Sequence, residues 1–210
     1  MNKAKSYCSD PCGASSLPFW KTEMVYVPNN LIIVTEKEYQ NGAARYKNGI
    51  DEPYFKLIHR MKQLETPVLP DGFALTEIGV KEFARHIGVC YEEGGISETD
   101  LQEYKNHPVY DPFLWVAVKD ELTGKTVATG IAELDARIGE GVLEWIQVSP
   151  TYRGKGLGAY LVNELLSRLK GKADFVTVSG KIKNRTNPLK LYENCGFSEK
   201  VIWHVVCVKP

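Results

Sequence analysis

The chain has 210 residues, 43% of them apolar and 25% charged, the balance of a folded globular protein and not of a disordered or fibrous one. Folding at this length buries on the order of 70% of the surface that the open chain exposes. Its 26 basic residues balance its 26 acidic ones, so no net field holds a polyphosphate backbone and nucleic acid is excluded as the main partner.

No apolar run reaches the ~18 residues of a membrane span, and the first residues carry lysines without an apolar core behind them. The expected setting is cytoplasmic, with no membrane partner. The five cysteines, Cys8, Cys12, Cys90, Cys195 and Cys207, are odd in number and scattered, which is not a disulfide framework. Cys8 and Cys12 are spaced C-x₃-C with no second pair or histidine cluster to complete four ligands, so they are read as free thiols and no metal is expected.

Along the chain, MVYV and LIIV flank Pro28, Asn29 and Asn30 and predict a hairpin. In PYFKLIHRMKQL, Phe55, Ile58, Met61 and Leu64 recur along one side of a helix. Prolines and a glycine interrupt the pattern in LETPVLPDGF. That break separates an N-terminal extension, residues 1–70, from a domain of residues 71–210. The extension has no chemistry of its own; it is expected to shape a substrate cleft or to form a subunit contact in a homodimer.

The domain opens with a strand around Phe73 to Thr76. A helix from about Val80 follows, then an acidic helix from Ser97 in which Ser97 and Asp100 make a capping pair. FLWVAVKD and TVATGIAELD read as antiparallel strands joined by the turn at residues 121–124. GVLEWIQVSP is a further strand, ended by Pro150. After it come a glycine-rich turn and a helix with Leu157, Leu161, Leu165 and Leu169 on one face. The strand DFVTVS, a short helix opened by Asn187 and Pro188 and closed at Gly196, and the strand VIWHVVCV complete an α+β pattern with a mixed sheet.

The turn SPTYRGKGLGA, residues 149–159, concentrates the chemistry. The first N–H groups of a helix lack intrahelical acceptors, and the macrodipole places about half a positive charge there. Glycine removes the side chains that would keep a diphosphate from those donors, while Arg153 and Lys155 supply charge at the rim. The string from Gly154 to Ala159 also satisfies G-x-G-x-x-A, with Asp174 placed 20 residues beyond Gly154, as in a dinucleotide-binding oxidoreductase using NAD(P). Against that reading, the fingerprint comes late in the chain and Asp174 begins a strand where the ribose carboxylate should end one. A P-loop would need Ser or Thr after Gly154-Lys155, and Gly156 stands there.

The turn and a second element together resemble the GNAT superfamily of acetyl-CoA-dependent N-acetyltransferases. Arg153, Gly156 and Gly158 match its R/Q-x-x-G-x-G/A motif after the fourth strand, and NPLKLYENCGF, residues 187–197, is similar to its later helix. The resemblance covers roughly residues 71–210. It implies a mostly antiparallel mixed sheet with helices on both faces and splayed fourth and fifth strands, here residues 142–148 and 174–179, with the pantetheine arm between them. The implied donor is acetyl-CoA and the acceptor an amine on a small molecule or peptide. Transfer is direct, with no acyl-enzyme. Ile146, Gln147, Val148, Arg153, Gly154, Lys155, Gly156, Leu157, Gly158, Ala159 and Asn187 are the implied coenzyme contacts. A backbone N–H near Val148 faces the developing oxyanion, Asn187 is the helix N-cap, and Tyr192 protonates the departing sulfur.

Tyr192 has a plainer alternative as a core aromatic on a short helix. For the base, alternation along VLEWIQV places Glu144 on one face with Val142, Ile146 and Val148, an apolar setting suited to proton abstraction; its plainer alternative is a carboxylate paired with a basic neighbour or at a sheet edge, and Glu133 and Asp135 on the preceding strand are substitutes. Glu92, Glu93, Glu98, Asp100 and Glu103 form an acidic stretch that would draw a cationic amine, or simply a solvated helix face. His59, His86, His107 and His204 have no metal spacing and are read as structural or exposed. Cys195 is read as a buried thiol. A coenzyme-binding module without catalysis remains the alternative to an enzyme.

Overall fold

The computed structural model describes residues 3–24, 26–46, 48–91 and 95–208. Its elements in chain order are α1 (Lys3–Ser9), α2 (Pro11–Ala14), α3 (Phe19–Met24), β1 (Leu31–Thr35), α4 (Glu36–Asn41), α5 (Ala43–Tyr46), β2 (Ile50–His59), β3 (Phe73–Thr76), α6 (Val80–Cys90), α7 (Glu98–Glu103), β4 (Trp115–Asp120), β5 (Thr126–Asp135), β6 (Glu140–Val148), α8 (Leu157–Leu169), β7 (Phe175–Lys181), α9 (Pro188–Asn194) and β8 (Ser198–Cys207). They gather into two compact units: a middle unit, Met61–Val176, and a terminal unit made of the residues up to Arg60 with those from Thr177 onward. The fold is α+β with antiparallel strand pairing in each unit. Among the described residues no helix is long and apolar enough to cross a membrane.

In the middle unit β3, β4, β5 and β6 pair antiparallel in sequence order. The residues of β5 alternate between two covered faces. Ile131, with Ala117 of β4, packs against Phe83, Ala84 and Ile87 of α6 and Leu101 of α7. Gly130 turns the other way: a Cβ there would lie 3.1 Å from Leu165 and 3.7 Å from Leu161 of α8. Leu157, Leu161, Leu165 and Leu169 are all buried, the stripe that the i, i+4 spacing predicts. Gly124, with φ +67°, closes the β4–β5 turn.

The terminal unit corrects two expectations. The hairpin expected from MVYV and LIIV is not found among the described residues: Met24 ends α3, and β1 pairs with β8, Leu31 opposite Cys207 and Thr35 opposite Trp203. The strand read at LIIV is real, but its partner strand lies far along the chain, where local turn signals carry no information. Residues 53–59 are strand, not helix, with Tyr54 opposite Trp203 and Phe55 opposite Ile202. Phe55, Lys56, Leu57, Ile58 and His59 are all buried, so both faces are covered and the alternation that marks a half-exposed strand disappears.

Each face of β2 and β8 receives helices through a polar tie. On one face the ammonium of Lys56, 1% exposed, donates to Tyr7 Oη and to the carbonyls of Ser15 and Leu17, each at 2.9 Å. Beside it Trp203 Nε1 donates to the Cys12 carbonyl at 2.9 Å. On the other face His204 lies between Asp51 (Nδ1, 3.0 Å) and Glu36 of α4 (Nε2, 2.9 Å), with Tyr39 stacked on its ring at 3.9 Å. All five cysteines are free, and burial pushes the Cys12 thiol up to about 11.

Replacing Lys56 with Met keeps the stem and removes a buried ammonium that donates to Tyr7 Oη and to two partly buried carbonyls. Lys56→Met is expected to lower unfolding stability by about 2–4 kcal/mol, read as a shift in urea midpoint, and to loosen residues 3–17 in hydrogen exchange.

Candidate active site

The strand β6 carries the first part of the site, and it is not regular. Ile131 of β5 faces Glu144 and Thr129 faces Gln147, so Trp145 and Ile146 together oppose Gly130. This is a bulge, and Trp145 has φ +52°, a conformation rare for a bulky residue. The extra residue reverses the alternation. Glu144 therefore shares its face with Val142 and Gln147, while Val148 lies on the opposite one; the expected common face of Val142, Glu144, Ile146 and Val148 is corrected. Trp145 packs against the α6–α7 cluster, donates from Nε1 to Tyr104 Oη at 3.2 Å and meets the Tyr91 ring edge-on at 5.6 Å. Glu133 and Asp135 are buried on the Glu144 face, where Arg137 holds Asp135 through a 2.7 Å ion pair.

Beyond the bulge, Ser149 N–H donates to the Val127 carbonyl at 2.9 Å. Because N–H and C=O groups alternate sides along an antiparallel strand, those of Val148 point away from β5. The Val148 carbonyl accepts from Arg153 Nε at 3.2 Å.

The turn then runs through a single 3₁₀ turn, Pro150–Tyr152, into Arg153, Gly154, Lys155 and Gly156. Gly154 has φ +77° and Gly156 φ +84°, a left-handed conformation that costs other residues about 1 kcal/mol or more. A Cβ on Gly154 would meet nothing within 4 Å, so the backbone there faces open space. Gly156 is the N-cap of α8 and no side chain caps the helix. The first intrahelical bond runs from Tyr160 N–H to the Gly156 carbonyl at 3.0 Å, so the amides of Leu157, Gly158 and Ala159 precede the helical ladder. Leu157 buries its side chain, Gly158 and Ala159 are half-buried, and Arg153 and Lys155 are exposed. Lys155 Nζ rests 5.0 Å over the Tyr152 ring, whose hydroxyl donates to Asp120 at 2.9 Å. An uncapped helix start, left-handed glycines and two exposed cations fit a diphosphate such as that of acetyl-CoA.

One part of this neighbourhood escaped the sequence reading. His86 of α6, 1% exposed, has Nδ1 2.9 Å from Thr129 Oγ1 and Nε2 3.0 Å from Ser149 Oγ. Burial pushes its pKa below the ordinary histidine value. Cys90, one turn on, lies 3.7 Å from His86 Nε2, and burial raises its thiol pKa. The signal was available: Phe83, His86, Ile87 and Cys90 share one face of α6, and a polar residue on an apolar face must find buried partners.

The remaining expected site residues belong to the terminal unit. Asn187 precedes α9 at the N-cap position, but with φ +47° its side chain makes no capping bond; the left-handed backbone directs it away from the first amides, and the capping role is corrected. Tyr192 is 6% exposed, with ring centroids 6.2 Å from Phe55 and 5.7 Å from Phe197. Cys195 is a buried thiol, pushed up to about 11 by that burial. Of the acidic stretch, Glu92 and Glu93 lie outside the described residues, while Ser97 caps α7 through a 3.0 Å bond from Asp100 N–H.

Residues 111–199 match the acetyltransferase (GNAT) domain family. The fold is similar to that of a GCN5-related N-acetyltransferase from Sphaerobacter thermophilus, with a TM-score of 0.68 at 17% identity over 90% of this chain and 64% of that one. It is also similar to a GNAT-family acetyltransferase from Colwellia psychrerythraea, with a TM-score of 0.57, 16% identity and coverage of 84% and 64%. A third likeness is to a GCN5-related N-acetyltransferase from Kribbella flavida, with a TM-score of 0.51, 15% identity and coverage of 86% and 68%. The chain thus spans about two thirds of the length of these proteins. No curated protein matches the sequence. Residues 111–199 are thus similar to the GNAT acetyltransferase domain, and both the α8 turn and Tyr192 fall within the matched residues.

The depressed histidine sets a pH dependence. His86 titrates near 6.5 when unfolded and lower when folded, so the unfolded chain binds more protons as pH falls. Its contribution is complete above about pH 6.5 and is lost as pH drops through that value toward the folded pKa. Thermal melts between pH 7.5 and 5.5 are expected to show this decline, and His86→Gln to flatten it.

Proposed function

We propose that the protein transfers the acetyl group of acetyl-CoA directly to a primary amine on a small molecule or peptide. The observation that carries this reading is the α8 turn, where left-handed Gly154 and Gly156 leave the first helical amides uncapped. Those donors, with Arg153 and Lys155, would hold the diphosphate. Ile146, Gln147 and Val148 would line the pantetheine arm with main-chain groups, and Val148 N–H, turned away from β5, is the donor nearest the turn for the developing oxyanion.

In the reaction the amine nitrogen attacks the thioester carbon, the carbon–sulfur bond breaks, and coenzyme A leaves as thiol. Tyr192, at the Leu-Tyr position of the NPLKLYENCGF motif, is the proposed proton donor to sulfur: a phenol stays protonated at neutral pH and can donate. An ammonium reaching the site gives one proton to Glu144, or to Glu133 or Asp135 on the same sheet face, before attack, and the proton that nitrogen releases after attack restores the Tyr192 phenol. Asn187 is proposed as a further coenzyme contact through its main chain.

The test is thiol release from acetyl-CoA against a panel of amines. At 100 times its Kd, acetyl-CoA is expected to stabilise the protein by about 2.7 kcal/mol, with NAD(P)H without effect. Stabilisation without thiol release for any amine would instead mark a binding module. Tyr192→Phe is expected to keep acetyl-CoA affinity and to lower kcat about 10²-fold or more; unchanged turnover removes its acid role. Gly156→Val, with a side chain forced onto a left-handed residue in the cradle, is expected to weaken acetyl-CoA binding at least tenfold in calorimetry.

A further inference from the structure

The residue that ends β6 and begins the cradle is Ser149, and three of its groups are held at once. Its N–H donates to Val127 of β5 at 2.9 Å, and its carbonyl accepts from Tyr152 N–H at 2.9 Å, which starts the 3₁₀ turn. Its hydroxyl lies 3.0 Å from His86 Nε2. The other ring nitrogen is fixed by Thr129, itself fully buried in the middle of β5. The imidazole therefore spans from the rigid centre of the sheet to the hinge between strand and turn. A second strand of contact runs parallel to it: Arg153, whose Nε holds the Val148 carbonyl, reaches with Nη2 to within 3.5 Å of the Cys90 carbonyl at the end of α6.

Packing alone does not require this arrangement. Leucine or methionine would fill the space among Phe83, Ile87 and Cys90 without bringing two polar nitrogens into the core. A neutral ring suits the site because one nitrogen donates and the other accepts, and both hydroxyl partners can do either.

We propose that His86 is a positioning residue for the acyl-donor coenzyme, acting through the Ser149 hydroxyl to hold residues 149–156, and with them the first amides of α8, in the aim that a diphosphate requires. The inference rests on the reading of the α8 turn as the diphosphate cradle. His86 is placed to act on the turn and not on the reacting atoms, so its removal changes coenzyme affinity more than chemistry. Its charge state is set from several sides. Burial and Arg85 oppose protonation, Glu82 and the Val127 carbonyl favour it, Thr129 and Ser149 are uncharged, the Cys90 thiol lies 3.7 Å from Nε2, and Arg153 and Lys155 are the cations of the turn. Protonation would turn both nitrogens into donors and set a positive charge beneath the cradle.

The test compares wild type with His86→Leu, His86→Gln, Ser149→Ala and the double variant His86→Leu/Ser149→Ala. Acetyl-CoA Kd is read by calorimetry, KM for acetyl-CoA and for the amine separately, and backbone exchange of residues 149–159 in the coenzyme-free protein. Ser149→Ala removes one partly buried hydroxyl and keeps the fold testable if His86→Leu proves unstable. The expected result is a rise of about tenfold in Kd and in KM for acetyl-CoA in His86→Leu and in Ser149→Ala, faster exchange confined to 149–159, and an unchanged amine KM. The double variant is no weaker than either single one, because both remove the same contact. His86→Gln, whose amide can still reach Ser149, recovers most of the affinity. Unchanged acetyl-CoA affinity and exchange in Ser149→Ala, or independent and multiplying losses in the double variant, would overturn the proposal. Wild type that binds no acetyl-CoA would instead overturn the cradle itself, and the two failures are told apart by the wild-type titration.

Discussion

The amides of Leu157, Gly158 and Ala159 stand ahead of the helical ladder of α8 with no side chain to accept from them, and the surrounding backbone is organised around that unmet demand. A serine or aspartate at position 156, in the extended backbone of an ordinary N-cap, would satisfy one of them and add roughly a few tenths of a kcal/mol over glycine. Gly156 forgoes that gain, adopts a left-handed conformation, and leaves donors, macrodipole and open approach together at one point. The same logic explains Gly154, whose missing Cβ would have met open space: there the glycine serves the backbone conformation and the approach, not the packing.

Holding such a turn falls to its neighbours. On the strand side, the bulge at Trp145 and Ile146 shifts every later residue of β6 by one position. A tryptophan at φ +52° costs on the order of 1–3 kcal/mol and persists only where its surroundings over-determine it; here the Tyr104 hydroxyl and the α6–α7 cluster do so. On the helix side, His86 reaches from α6 to both Thr129 and Ser149. The turn is thus approached from strand and helix by buried and partly buried polar contacts, which fix direction where apolar packing would fix only distance.

The terminal unit uses the same device for a different end. Lys56 holds α1 and the segment after α2 through three oxygen acceptors, and His204, between two carboxylates, holds α4 through Glu36. Both sit in the sheet strands, on opposite faces, and each gathers a segment distant in sequence. Tyr192 and Asn187 belong to this unit, with the tyrosine ring packed against Phe55 and Phe197.

Local chemistry was enough to read the middle of the chain. The leucine stripe of α8, the Gly124 turn, the Ser97 cap and the glycine-rich start of α8 each depend on residues within a few positions of one another, and each was legible in the amino-acid order. The reversal of faces at Trp145, the partner of β1, the strand character of residues 53–59 and the His86–Ser149 contact were not. A bulge leaves no mark in composition, a strand covered on both faces loses its alternation, and a hydrogen bond between residues 63 positions apart has no local signature. These features were decided by which segments the folded chain brings together, because backbone pairing and buried polar satisfaction are long-range conditions, whereas helix starts and turns are settled where they stand.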